Sequence, residues 1–172
     1  MRDDVPSKPN YRIAKDDLPV RRAKPSSAAR DDVVLSTQRI YGTENSIMFA
    51  DRGPGYHTRP HRHDAEQLNY IVSGEIWFFV EGRGWRCRPG DIMRIPRNRV
   101  HWAFNRGTEH CVIIESHCPP LIGNDEEARS TAIPLLGPDE DVAKVRYVVN
   151  EVVPMDPAEV AAIEERAWKE EG

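Results

Sequence analysis

His61 and His63 stand one residue apart, and among the 172 residues their type and spacing point most directly to chemistry. On an extended strand, side chains two positions apart leave the same face, so both imidazoles address one site. Neutral imidazole is a common ligand for zinc, iron, nickel and manganese-type ions. A His-x-His pair also arises by chance on surfaces, so the pair needs support from its surroundings. Of the remaining histidines, His57 lies near enough in sequence to approach the mouth of such a site, and His110 falls in a loop-like stretch. Cys111 sits in an alternating apolar run and reads as a small core residue rather than a nucleophile. No Ser-His-Asp or Cys-His signature accompanies it.

The elements that must position this pair read as strands. From residue 33 to 117, short apolar runs alternate with Gly, Pro, Asn and Asp: 33–35, 46–50, 68–72, 76–80, 91–95 and 111–115. They are rich in Val, Ile, Phe, Trp and Tyr, which suit a pleated, half-buried surface. Ser73 and Gly74 read as a hairpin turn, residues 81–84 as the next turn, and residues 89–91 as another. Many short strands at regular spacing predict an all-β sandwich or barrel, spanning 31–155. Within it, Asn69 and Ile71 share the face of Gln67, and either Trp77 with Phe79 or Ile76 with Phe78 lines the interior. Residues 119–142, rich in Pro and Gly, read as a surface connection, and 142–153 as one more strand.

The ends read differently. Residues 1–30 carry four prolines among charges and predict an arm with little structure of its own, either a loose tail or a strand added to a partner subunit. Residues 156–172 predict a short helix, with Asp156 as its cap and Pro157 at the first helical position. Val160, Ile163 and Ala167 form its apolar face, and Glu159, Glu164, Glu165 and Lys169 its polar one.

Composition bounds the function. Hydrophobic residues make up 39% and charged residues 30%, as in an ordinary globular domain, and 172 residues suit one domain. With 24 basic against 28 acidic residues, neither a nucleic acid nor an anionic membrane is an expected partner. Residues 1–24 lack the apolar core of a signal peptide, and no apolar stretch is long enough to cross a bilayer. Three cysteines do not make a disulfide framework, so the expectation is a cytoplasmic protein with reduced thiols.

Two stretches carry a resemblance. Gly55, His61, His63 and Gly74 lie at the spacing of the first conserved motif of the cupin superfamily, and Gly90, Pro96, His101 and Asn105 at that of the second. The resemblance implies a conserved β-barrel (a double-stranded β-helix, or jelly roll), often dimeric, holding one metal ion. It implies His61, His63, Gln67 and His101 as ligands. Asn98 stands where the family has Gly, a mild change because Asn tolerates left-handed backbone. Gln67 stands where the family has Glu, so the donor set is neutral and the centre keeps the ion's full charge. Glu66 is the alternative ligand if a bulge reverses the strand faces. Fe(II) is the favoured ion, with Mn, Ni or Zn as alternatives. Tyr56, His57 and Arg59 are candidate catalytic groups, and Glu115 and His117 candidate substrate or supporting groups. The activity implied is that of an O2-using dioxygenase acting on a small bidentate substrate. A metal-dependent lyase or isomerase of the hydroxynitrile-lyase kind, with His57 or His117 as base, is the alternative, and a non-catalytic small-molecule-binding module is the third reading. A homodimer is expected.

Overall fold

The run Ile-Trp-Phe-Phe-Val at 76–80 shows no polar alternation because both of its faces are covered. Ile76, Phe78 and Val80 point between two sheets, and Trp77 and Phe79 point at a helix. The choice left open by the pattern is thereby settled: Ile76 and Phe78 line the interior.

In the computed structural model, the described residues are 12–24, 28–29, 35–122, 133–134 and 146–171. Their strands are β1 (Arg21–Ala23), β2 (Leu35–Tyr41), β3 (Ser46–Arg52), β4 (His61–Arg62), β5 (Glu66–Ser73), β6 (Ile76–Val80), β7 (Arg83–Cys87), β8 (Ile92–Ile95), β9 (His101–Phe104), β10 (Cys111–Cys118), β11 (Ile133–Pro134) and β12 (Glu151–Val152). One sheet runs β1-β2-β3-β10-β5-β8, with β11 parallel to β2; the other runs β12-β4-β9-β6-β7. This two-sheet barrel is the all-β architecture that the strand spacing predicts. Its apolar core joins the sheets, with Leu35, Ala50, Ile71, Ile95 and Ile113 from the first facing Ile76, Phe78, Cys87 and Ala103 from the second.

Register divides the interior lengthwise. Between β5 and β10 the inward pairs are Ile71 with Ile113, Asn69 with Glu115 and Gln67 with His117. One end is therefore apolar and the other polar, and in the second sheet His61 pairs with His101 at the polar end.

Helix α1 (Pro157–Glu171) closes the outer face of the second sheet. The Asp156 carboxylate accepts from Ala158 N at 2.9 Å, as a cap should. Val160, Ile163 and Ala167 pack on Trp77, Phe79 and Trp102. Glu164, assigned to the polar face by its charge, is instead buried, and its Oε1 accepts from the Trp102 indole N–H at 2.8 Å. The indole donor needs a partner once covered, and that need draws the carboxylate inward.

Four expectations change. Ser73 and Gly74 do not form a hairpin, because β5 pairs with β8 and β10 whereas β6 pairs with β7 and β9; they carry the chain from one sheet to the other. Gly74 is required there: its φ is 72°, and a Cβ would lie 2.2 Å from the His110 carbonyl oxygen. The turn at 81–84 shortens to Glu81 and Gly82, with φ of 50° and 76°, and β7 begins at Arg83. In the 1–30 arm, residues 12–24 are ordered on this barrel: β1 pairs with β2, Leu18 is buried, and the Gln38 amide donates to the Lys15 and Leu18 carbonyls. Residues 1–11 lie outside the described residues. The predicted strand at 142–153 contracts to β12, with 142–145 likewise outside them.

Replacing Gly74 with Ala combines a forbidden φ with a backbone clash. We expect urea unfolding to show a loss of about 2–3 kcal/mol, and a variant as stable as the parent would refute the crossover's need for glycine.

Candidate metal centre

Each of the three imidazoles is set by a backbone carbonyl. His61 Nδ1 donates to Arg59 O at 2.8 Å, His63 Nδ1 to Ala65 O at 3.0 Å, and His101 Nδ1 to Arg99 O at 2.9 Å. A carbonyl can only accept, so Nδ1 carries the proton and each Nε2 is left with its lone pair. The local sequence builds this repeatedly: each histidine begins or follows a short extended segment, and its ring turns to a carbonyl two residues away. Pro96 and Asn98 shape the turn before His101, and Asn98 takes a φ of 59°, the left-handed geometry expected where Asn replaces Gly.

The rings converge. His101 lies 4.3 Å from His61 and 4.8 Å from His63 between ring centroids, and His61 and His63 are 6.3 Å apart. All three are buried, and burial holds them neutral, with His61 pushed down to about 4 and His63 and His101 also lowered. Gln67 completes the group, its Oε1 lying 3.0 Å from His63 Nε2. A neutral imidazole carries one N–H, so in the tautomer that donates from Nδ1 to Ala65 O these two atoms are both acceptors and share no hydrogen. His101 Nε2 is buried without a hydrogen-bond partner.

Converging lone pairs with no proton among them suit a cation, and the donors suit a divalent transition metal. Among the described residues, no group of three His, Cys, Asp or Glu side chains stands in coordination geometry as placed.

Beneath this group lies a polar layer. Gln67 Nε2 donates to Asn69 Oδ1 at 2.6 Å and to Glu115 Oε2 at 3.4 Å, and Asn69 Nδ2 donates to Met93 O at 3.3 Å. The Arg52 guanidinium donates to the other oxygen of Glu115 and lies 4.8 Å from the Tyr56 ring centroid and 5.6 Å from that of Phe78. Burial raises the Glu115 carboxyl, and Arg52 opposes that shift. His117 projects into the same layer, 5.5 Å from His63, with both ring nitrogens buried and without a hydrogen bond, and Nε2 lying 4.0 Å from Glu115 Oε2.

The sequence-derived candidates separate accordingly. His61, His63, Gln67 and His101 are brought together. Glu66 faces outward in an ion pair with Arg94, so alternation holds at this end of β5 and Gln67 is the inward residue. His57 is not at the mouth: it alternates outward, stacks on Phe104 at 4.4 Å and donates to Glu164 of α1 at 2.9 Å. Tyr56 is buried against Arg52 as part of the core, where burial raises its hydroxyl. Arg59 contributes its carbonyl to His61, and its side chain is exposed. Arg52 escaped the sequence reading; its signal is a charged residue at an inward-facing position of β3, where alternation predicts an apolar one.

Comparison with known proteins agrees with the fold. Residues 48–117 match the family model of the cupin domain. Over 79 residues the chain is 29% identical to the acireductone dioxygenase of Bacillus subtilis (strain 168), covering 40% of this chain and 44% of that protein. A second acireductone dioxygenase, from Bacillus velezensis, is 28% identical over the same length. The match thus spans less than half of these curated relatives. Among solved structures, the polyketide cyclase RemF from Streptomyces resistomycificus superposes with a TM-score of 0.55 at 17% identity, covering 88% of this chain and 92% of that one. An RmlC-like cupin from Shewanella frigidimarina NCIMB 400 gives 0.54 at 18% identity, covering 66% and 94%. These two likenesses bear on the fold alone.

The neutral histidines tie stability to pH. His61 releases its proton at about 4 when folded and at 6.5 when not, so between those values the unfolded chain binds a proton that the folded chain refuses. The stability is complete above 6.5 and is lost as pH falls toward 4. With chelator present, the urea midpoint should fall through this window, and more shallowly in His61→Asn, by up to about 1.4 kcal/mol per pH unit. A midpoint unchanged by pH in the parent protein would contradict the buried neutral cluster.

Proposed function

This chain belongs to the cupin superfamily, and on that premise we propose that it is a mononuclear metal-dependent enzyme, best read as a dioxygenase for a small bidentate substrate. His61, His63, His101 and the Gln67 amide oxygen would hold the ion, with Fe(II) favoured. The observation that carries this reading is the set of converging acceptors, three imidazoles each fixed through Nδ1 and one amide oxygen, with no proton to share. The curated relatives, which are dioxygenases by name, support it.

When bound, the metal would supply positive charge for an enolate or phenolate and redox chemistry toward O2. The protein's own groups do the remainder. The Arg59, Ala65 and Arg99 carbonyls keep the Nδ1 protons in place and so hold each Nε2 basic. The ligand set carries no negative charge, and the Glu115 carboxylate is neutralised by Arg52. Such a centre favours a substrate that brings its own anionic oxygens, as a diketone enolate, an enediol or a hydroxy-aromatic acid does. Ile71, Phe78 and Ala103 wall the adjoining interior and exclude water.

One observation favours a second reading. His117 is a buried imidazole beside His63 with neither nitrogen in a hydrogen bond and with Nε2 4.0 Å from the Glu115 carboxylate. That suits a lyase or isomerase in which His117, rather than His57, handles the proton.

Metal content and O2 uptake separate these readings. The expected result is near-stoichiometric iron in protein purified without an affinity tag, at least about tenfold less in His61→Ala, and O2 consumed in step with a diketone or hydroxy-aromatic acid. Substrate turnover without O2 uptake would establish the second reading instead. A protein that binds no added divalent metal would refute both.

A further inference from the structure

Position 67 faces two acceptors on its far side, and this decides what residue it can be. Asn69 Nδ2 is committed to the Met93 carbonyl, so Asn69 presents Oδ1 to Gln67 at 2.6 Å. Glu115, tied by Arg52, presents Oε2 at 3.4 Å. Only an N–H group satisfies both, so the Gln67 NH2 must turn toward them and its Oε1 toward His63. A glutamate at 67 would set a carboxylate oxygen against Asn69 Oδ1 and against a second buried carboxylate. Turning the Asn69 amide over to relieve the first contact would place its oxygen against the Met93 carbonyl.

We propose that Asn69 and Glu115 are positioning residues that select a neutral amide at 67 and aim its oxygen at the metal. The negative charge that the family resemblance places on residue 67 has thus moved one strand over, to Glu115 on β10, where Arg52 neutralises it. Glutamine here is a requirement of its neighbours, and glutamate is not a conservative replacement. This inference rests on the proposed metal centre for its binding arm, and on the hydrogen-bond layer alone for its stability arm.

The test uses the full chain with Co(II) as the probe. Gln67→Glu should weaken Co(II) binding at least about tenfold although it adds a charged ligand, and Gln67→Glu combined with Glu115→Gln should return to within about threefold of the parent. In chelator, Gln67→Glu should lower the urea midpoint, and the double variant should recover at least half of that loss. Gln67→Glu binding Co(II) as tightly as the parent, at an unchanged urea midpoint, would overturn the proposal. If the parent binds no Co(II), the metal-centre reading fails and the urea arm alone decides this one. Should Gln67→Glu not fold, Asn69→Ala replaces it: releasing the amide should weaken Co(II) binding about tenfold, and unchanged binding would overturn the proposal.

Discussion

The Arg52–Glu115 ion pair is buried inside the barrel, where neither charge reaches water, and the polar end of the interior is organised around it. Removing two charges from water is costly, and the pair persists only with close geometry and further partners. Here the guanidinium lies against the Tyr56 and Phe78 rings, and the carboxylate also accepts from Gln67. The Arg52 carbonyl accepts from the Asn105 amide at 2.8 Å, which ties the end of β3 to the turn after β9. The pair thus joins neighbouring strands β3 and β10 of the first sheet, reaches Phe78 of the second and sets the amide beneath the candidate metal site.

Above that layer a different constraint operates. Each histidine spends its only N–H on a carbonyl two residues away, so no side chain is needed to choose the tautomer. Burial keeps the rings neutral, and neutrality leaves the lone pairs available. The same choice makes the cluster intolerant of acid. The proposed metal binding and the pH sensitivity therefore follow from one arrangement.

The helix accounts for residues that looked chemical in isolation. His57 and Trp102 both donate to Glu164, so a histidine, an indole and a carboxylate that could suggest a catalytic group serve to seat α1 on the second sheet. Their position on the outer face follows from alternation: Tyr56 and Thr58 point inward, and His57 cannot.

The all-β class, the helix cap and the inward face of β5 were legible in the sequence because each depends on local periodicity or a capping side chain, as in the alternation of Gln67, Asn69 and Ile71 and the contact of Asp156 with Ala158. The near placement of His61, His63 and His101 was legible through motif spacing. Pairing was not. Ser73 and Gly74 have the composition of a hairpin, yet strand partners are chosen by the sheets as wholes, and a crossover resulted. Nor could Arg52, 63 residues from Glu115 in the chain, be matched to its carboxylate before β3 and β10 were side by side. Local chemistry thus determined which residues could form strands, caps and ligands. The tertiary structure alone decided which buried charges and amides meet, because hydrogen-bond partners distant in sequence are set by register between strands.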